Sequence, residues 1–144
     1  MSQAITQSAT VLSPRRGRSV SAVLVGFVTV LVLSIGTDAV LHATRVYPPL
    51  GVRMSDGLFW LASAYRCAYT VLGGYLCARL SPTRPERHAL ILGAIGFVAA
   101  TLGAVATWGR ADLGPAWYPL LLVATALPCT LAGAKLFSRR PLAS

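Results

Sequence analysis

Residues 89–108 read ALILGAIGFVAATLGAVATW, twenty positions without a charged side chain. At 1.5 Å per residue such a helix is about 30 Å long, the thickness of the hydrocarbon layer of a bilayer. Its small residues are regularly spaced: Ala89, Gly93, Gly96, Ala100, Gly103 and Thr107 recur at alternating steps of four and three, a stripe along one face of an α-helix. Among lipid tails, burial of apolar groups no longer draws helices together. Close backbone approach along small residues supplies the attraction instead. The stretch is therefore read as a transmembrane helix whose Gly93, Gly96, Ala100 and Gly103 form a helix-packing face, used first within the chain.

Three more apolar runs of similar length lie on either side, at residues 20–41, 58–80 and 117–137. The expected fold is all-α, an integral membrane four-helix bundle over residues 19–138. A disordered basic tail is expected at 1–18 and a short tail at 139–144. The whole chain has 144 residues, 55% apolar and 12% charged, against about 25% charged in soluble domains. Four spans leave only short connections between them. No small-x-small cleavage site closes the first run, which is read as an uncleaved span. Tyr47-Pro48-Pro49 with Gly51 predicts an ordered turn. Ser55 is placed to cap the second span with Asp56 in its positive first turn. Pro85 suits the first position of the third, and Pro128 predicts a kink in the fourth by freeing the carbonyl of Ala124.

The net charge of +9 is distributed unlike that of a nucleic-acid binder. Arg15, Arg16, Arg18, Arg79, Arg84, Arg87, Lys135, Arg139 and Arg140 flank one end of the spans, and Arg45, Arg53 and Arg110 the other. Nine against three puts both termini in the cytoplasm by the positive-inside rule, as an even number of spans requires. Trp60, Trp108, Trp117, Tyr47 and Tyr118 fall at the opposite face, where amphipathic rings settle among headgroups. The expected location is the bacterial cytoplasmic membrane, multi-pass. Membrane lipid is the first partner, with a second copy or another membrane protein as further possibilities, and no nucleic acid.

One basic residue lies inside a span. Arg66 shares a face of the second run with Ala62, Tyr69, Gly73 and Cys77, so it is expected to face protein. An unpaired guanidinium at that depth costs several kcal/mol. The one acid within a span is Asp38, and Arg66 is expected to bridge to it by reaching along its own helix. Tyr65 or Tyr69 and backbone carbonyls are expected to satisfy the remaining donors. Asp38, His42, Arg66 and Tyr69 thus form the candidate intramembrane polar cluster, and Gly73 joins the packing positions. The small residues of the first run, Ala22, Gly26, Thr29 and Gly36, point away from Asp38, so either that helix meets neighbours on two sides or Asp38 meets water and Arg66 is satisfied otherwise.

As a functional site the cluster reads as a proton or anion relay; as a structural one it pins helix register. The structural reading is preferred. His42 and Asp38 make at most half a metal site, so no metal or other cofactor is expected, and His88 is expected among headgroups. Cys67, Cys77 and Cys129 read as small packing residues. No phosphate-cradling loop, carboxylate pair or nucleophile set is present, so an enzyme is not expected. The expected role is structural or partner-binding, the alternative being a minimal oligomeric transporter or channel using Arg66 and Asp38. A closed, protein-satisfied Arg66 fits the first role, and a cavity reaching it fits the second.

Gly36-Thr37-Asp38-Ala39-Val40-Leu41-His42, Tyr47-Pro48-Pro49, Met54-Ser55-Asp56, Tyr65-Arg66, Leu72-Gly73-Gly74-Tyr75 and Arg84-Pro85-Glu86-Arg87-His88 carry a resemblance. Over residues 26–133 the chain resembles a group of small four-span bacterial inner-membrane proteins of unassigned function. The resemblance implies topology and no chemistry. The small multidrug transporters are similar in size and span count, but their hallmark is a Glu near the middle of the first span, where this chain has no acid.

Overall fold

The computed structural model describes residues 14–139. Among them are four α-helices: α1 (Pro14–Ala43), α2 (Asp56–Leu80), α3 (Pro85–Thr107) and α4 (Trp117–Ser138), with a 3₁₀ turn at Ala111–Leu113. Three helical stretches, Arg16–Ala43, Pro85–Thr107 and Trp117–Ser138, are long and apolar enough to cross a membrane. At 25 residues α2 has the length, but Tyr65, Arg66, Tyr69, Thr70 and Tyr75 dilute its apolar residues.

The position of α2 accounts for its composition, since it packs against all three other helices. Contacts run up and down the bundle in antiparallel fashion. Asp38 near the end of α1 meets Arg66 in the first half of α2, while the rings of Phe59 and Tyr118, at the starts of α2 and α4, lie tilted against each other at 5.0 Å. The α1–α2 and α3–α4 connections therefore share one end, which carries Trp60 stacked on Trp117 at 4.6 Å. The α2–α3 connection, the start of α1 and the end of α4 share the other.

Interior and exterior are distributed as lipid solvation demands. Ala22, Ala62, Cys77, Ala78, Ala89 and Ala134 are enclosed, whereas Leu24, Val32, Ile35, Val98, Leu102 and Val105 are exposed. The closest approaches are made by glycines. A Cβ on Gly26 would lie 2.8 Å from the Gly73 carbonyl oxygen, and one on Gly93 3.0 Å from the Leu127 side chain. Gly74 lies against the Thr130 backbone and Gly133 against the backbone of Val71 and Tyr75, too close for any side chain.

The packing face expected on α3 holds over half its length. Gly93 is buried on α4 and Gly96 lies within reach of Ala126, but a Cβ on Gly103 would meet nothing within 4 Å, and Gly103 is exposed. Ala100 and Gly103 line a cavity instead of a helix contact. This cavity lies at the Trp-rich end, between α3, the nine-residue α3–α4 connection with its 3₁₀ turn and the start of α4. Gly114 is required there: its φ is +129°, and the Phe59 ring occupies the position a Cβ would take.

Several boundaries differ from expectation. α1 begins at Pro14, so Arg16 and Arg18 stand on helical backbone where a tail through residue 18 was expected; residues 1–13 and 140–144 of the expected tails, Arg140 among them, lie outside the described residues. Ser55 takes the N-cap position of α2 without a side-chain cap bond, and Pro85 opens α3 after Arg84 at φ +46°. α4 runs unbroken through Pro128, whose ring is exposed. His88, in the first turn of α3, is buried in the bundle, its Nδ1 3.2 Å from the Arg84 carbonyl oxygen.

Candidate functional site: an ion pair between α1 and α2

The α1–α2 contact is made by Gly26, Val30, Thr37 and Asp38 of α1 against Tyr65, Arg66, Tyr69, Gly73 and Cys77 of α2. Gly26 and Val30 press on Gly73, and Gly26 also on Cys77. Toward the Trp-rich end side chains fill the seam, beginning with Thr37 Oγ1 and Tyr69 OH at 2.8 Å. Each four-residue step advances about 40° around a helix, so Asp38 lies about 120° round from Gly26 and meets α2 through the long side chains of Tyr65 and Arg66. Gly36, expected in the stripe, is exposed and touches nothing.

Both carboxylate oxygens of Asp38 are engaged. Arg66 Nη2 donates to Oδ2 at 2.5 Å, and the Tyr65 hydroxyl donates to Oδ1. Tyr65 in turn lies 3.1 Å from the hydroxyl of Tyr47. Tyr47 belongs to the α1–α2 connection, is 3% exposed and sends its amide to the Leu41 carbonyl at 2.9 Å. The Arg66 guanidinium also sits 6.0 Å from the centre of the Tyr65 ring. Asp38 and Arg66 are 29% and 30% exposed, so their attraction acts in a medium far less polarisable than water.

Of the predicted cluster, Asp38 and Arg66 come together as expected. Tyr69 does not serve Arg66, because its hydroxyl goes to Thr37. His42 turns back on its own helix: Nδ1 lies 2.9 Å from the Asp38 carbonyl oxygen, and its ring meets Tyr47 edge-on at 5.2 Å. It is thus bonded to the Asp38 backbone, and the second carboxylate oxygen goes to Tyr65. Among the described residues no three metal-ligating side chains converge. Sequence reasoning placed Tyr47 at the headgroups; the structure buries it in the cluster. The signal was the following Pro48-Pro49, which stiffens the turn that holds it.

Two cavities meet at Arg66. One, of about 500 Å³, opens at the Trp-rich end between α3, the α3–α4 connection and α4. The other, of about 340 Å³, lies between all four helices and is lined by Ser34, Thr70, Thr125 and Thr130 among largely apolar neighbours. Comparison with protein-family models, curated proteins and solved structures returned no match. The chemistry of the site therefore rests on its own geometry. A carboxylate held by a guanidinium and a phenol ties α1 to α2, and Tyr47 adds their connection to the same knot.

Proposed function

We propose that the chain is an integral membrane protein of the bacterial cytoplasmic membrane, with four spans and both termini in the cytoplasm, acting as a structural or partner-binding element without catalysis of its own. The reading rests on one observation: Asp38 is bonded on both oxygens, by Arg66 and by Tyr65. A carboxylate so occupied pins helix register. The passage of α2 through the bilayer is supported by its packing against all three other helices, which half-buries Tyr65, Arg66, Tyr69, Thr70 and Tyr75 against protein. The orientation is supported by exposed Arg16, Arg18, Arg79, Arg84, Arg87, Lys135 and Arg139 at one end of the bundle, against Arg45, Arg53 and Arg110 at the other. Kinship with small four-span inner-membrane proteins belongs to the same proposal, as do lipid and a membrane-protein companion or second copy as partners.

A second reading, a minimal oligomeric transporter or channel using Arg66 and Asp38, is favoured by the two cavities that meet at Arg66. Arg66→Leu separates the two. Loss of the folded bundle in detergent supports the pin, whereas a bundle of unchanged stability that no longer carries solute in vesicles supports the transporter. A companion protein that co-purifies from native membrane supports the partner-binding role directly.

A further inference from the structure

The cavity at the Trp-rich end has a one-sided charge. Arg53, Arg66 and Arg110 line it together with Thr107, Trp108 and Tyr118, and no acidic residue does. Each guanidinium has its acid elsewhere: Asp56 at 3.6 Å from Arg53, Asp112 at 3.2 Å from Arg110, and Asp38 at 2.5 Å from Arg66. The first two pairs are more than half exposed on both sides, and exposed pairs of this kind are worth little. Arg53 and Arg110 can therefore turn to another oxyanion at small cost. Arg66 is different, being half-buried at the floor. A guanidinium has five N–H donors, and the Asp38 bond engages Nη2.

The remaining wall comes from Ala100, Gly103, Ala104, Leu113, Leu122 and prolines, which offer apolar contact. A volume of about 500 Å³ falls in the range of small-molecule sites. Guanidinium forks match the two oxygens of a carboxylate or phosphate. We propose that this cavity binds an organic oxyanion, a carboxylate or phosphate joined to a short apolar group, with the oxyanion held among the three arginines and the apolar group against α3 and α4. The source is either an anionic lipid headgroup or an anion arriving from water. The site is independent of whether the Asp38–Arg66 pair pins the bundle, since the test below leaves both residues intact.

The full chain in an uncharged maltoside detergent is titrated with hexyl phosphate and with dihexanoylphosphatidylglycerol, with dihexanoylphosphatidylcholine as the zwitterionic control. Tryptophan fluorescence and thermal unfolding report binding. Saturable binding of at least one anionic probe, with a rise in Tm and none from the control, is expected. Tighter binding of the phosphatidylglycerol identifies a lipid headgroup, and tighter binding of hexyl phosphate a water-borne anion; both support the site. Gly103→Leu fills the cavity without altering charge and is expected to abolish binding. Arg110→Gln and Arg53→Gln, both at exposed positions, are each expected to weaken it roughly tenfold. Absence of saturable binding by either anion overturns the proposal. So does binding that survives unchanged in Gly103→Leu, or in both arginine variants.

Discussion

At the scale of single residues, the protein is organised by the cost of a charge away from water. Arg66 meets part of that cost by pairing with Asp38 through Nη2, while its Nε is buried without a hydrogen-bond partner among the described residues, and Tyr65 completes the carboxylate. Tyr65→Phe removes one donor to an ionised acceptor and is expected to lower stability by about 2 kcal/mol, read as the unfolding midpoint in detergent. Tyr69→Phe removes a bond between neutral hydroxyls, at Thr37, and is expected to cost about 1 kcal/mol. His42→Ala, whose ring bonds only a backbone carbonyl of its own helix among the described hydrogen bonds, is expected to cost less than Tyr65→Phe by the same measurement.

At the scale of helices, contact is made by backbone meeting backbone. Gly74→Ala and Gly133→Ala each press a methyl group against the backbone of the facing helix and are expected to destabilise by roughly 1–3 kcal/mol. Gly103→Ala and Gly36→Ala meet open space and are expected to leave the midpoint unchanged or slightly raised, alanine being the better helix former. The contrast shows how much the residues alone disclosed. Four helices, their approximate limits, the Asp38–Arg66 pair and the packing of Gly73 and Gly93 were legible, because apolar length and the scarcity of acids left few alternatives. The contact row of α1 was not. Small residues at mixed steps of three, four and seven suggested one face, whereas in the contact Val30 joins Gly26 on Gly73 and Thr37 meets Tyr69. Gly133 was missed for the same reason: an isolated glycine acquires meaning only once the helix opposite it is known. The cavity beside Gly103 was also hidden, since Gly103 continues the spacing of Gly93 and Gly96 where no helix faces it within reach of a Cβ.

At the scale of the whole molecule, the account requires α2 to lie across the membrane packed against three more apolar helices. In a cysteine-free background, Leu50→Cys, at a position 89% exposed in the α1–α2 connection, is expected to react with an impermeant maleimide applied to the outer face of spheroplasts. Thr83→Cys, in the α2–α3 connection, is expected to react only after lysis. The most direct test of the central claim is a double-mutant cycle on Asp38→Asn and Arg66→Gln, with unfolding free energies measured in detergent. The account predicts that each single change costs about 2 kcal/mol, that the double variant costs much less than their sum, and that the coupling exceeds about 1 kcal/mol. Additive losses, or two single variants as stable as the parent, would contradict it.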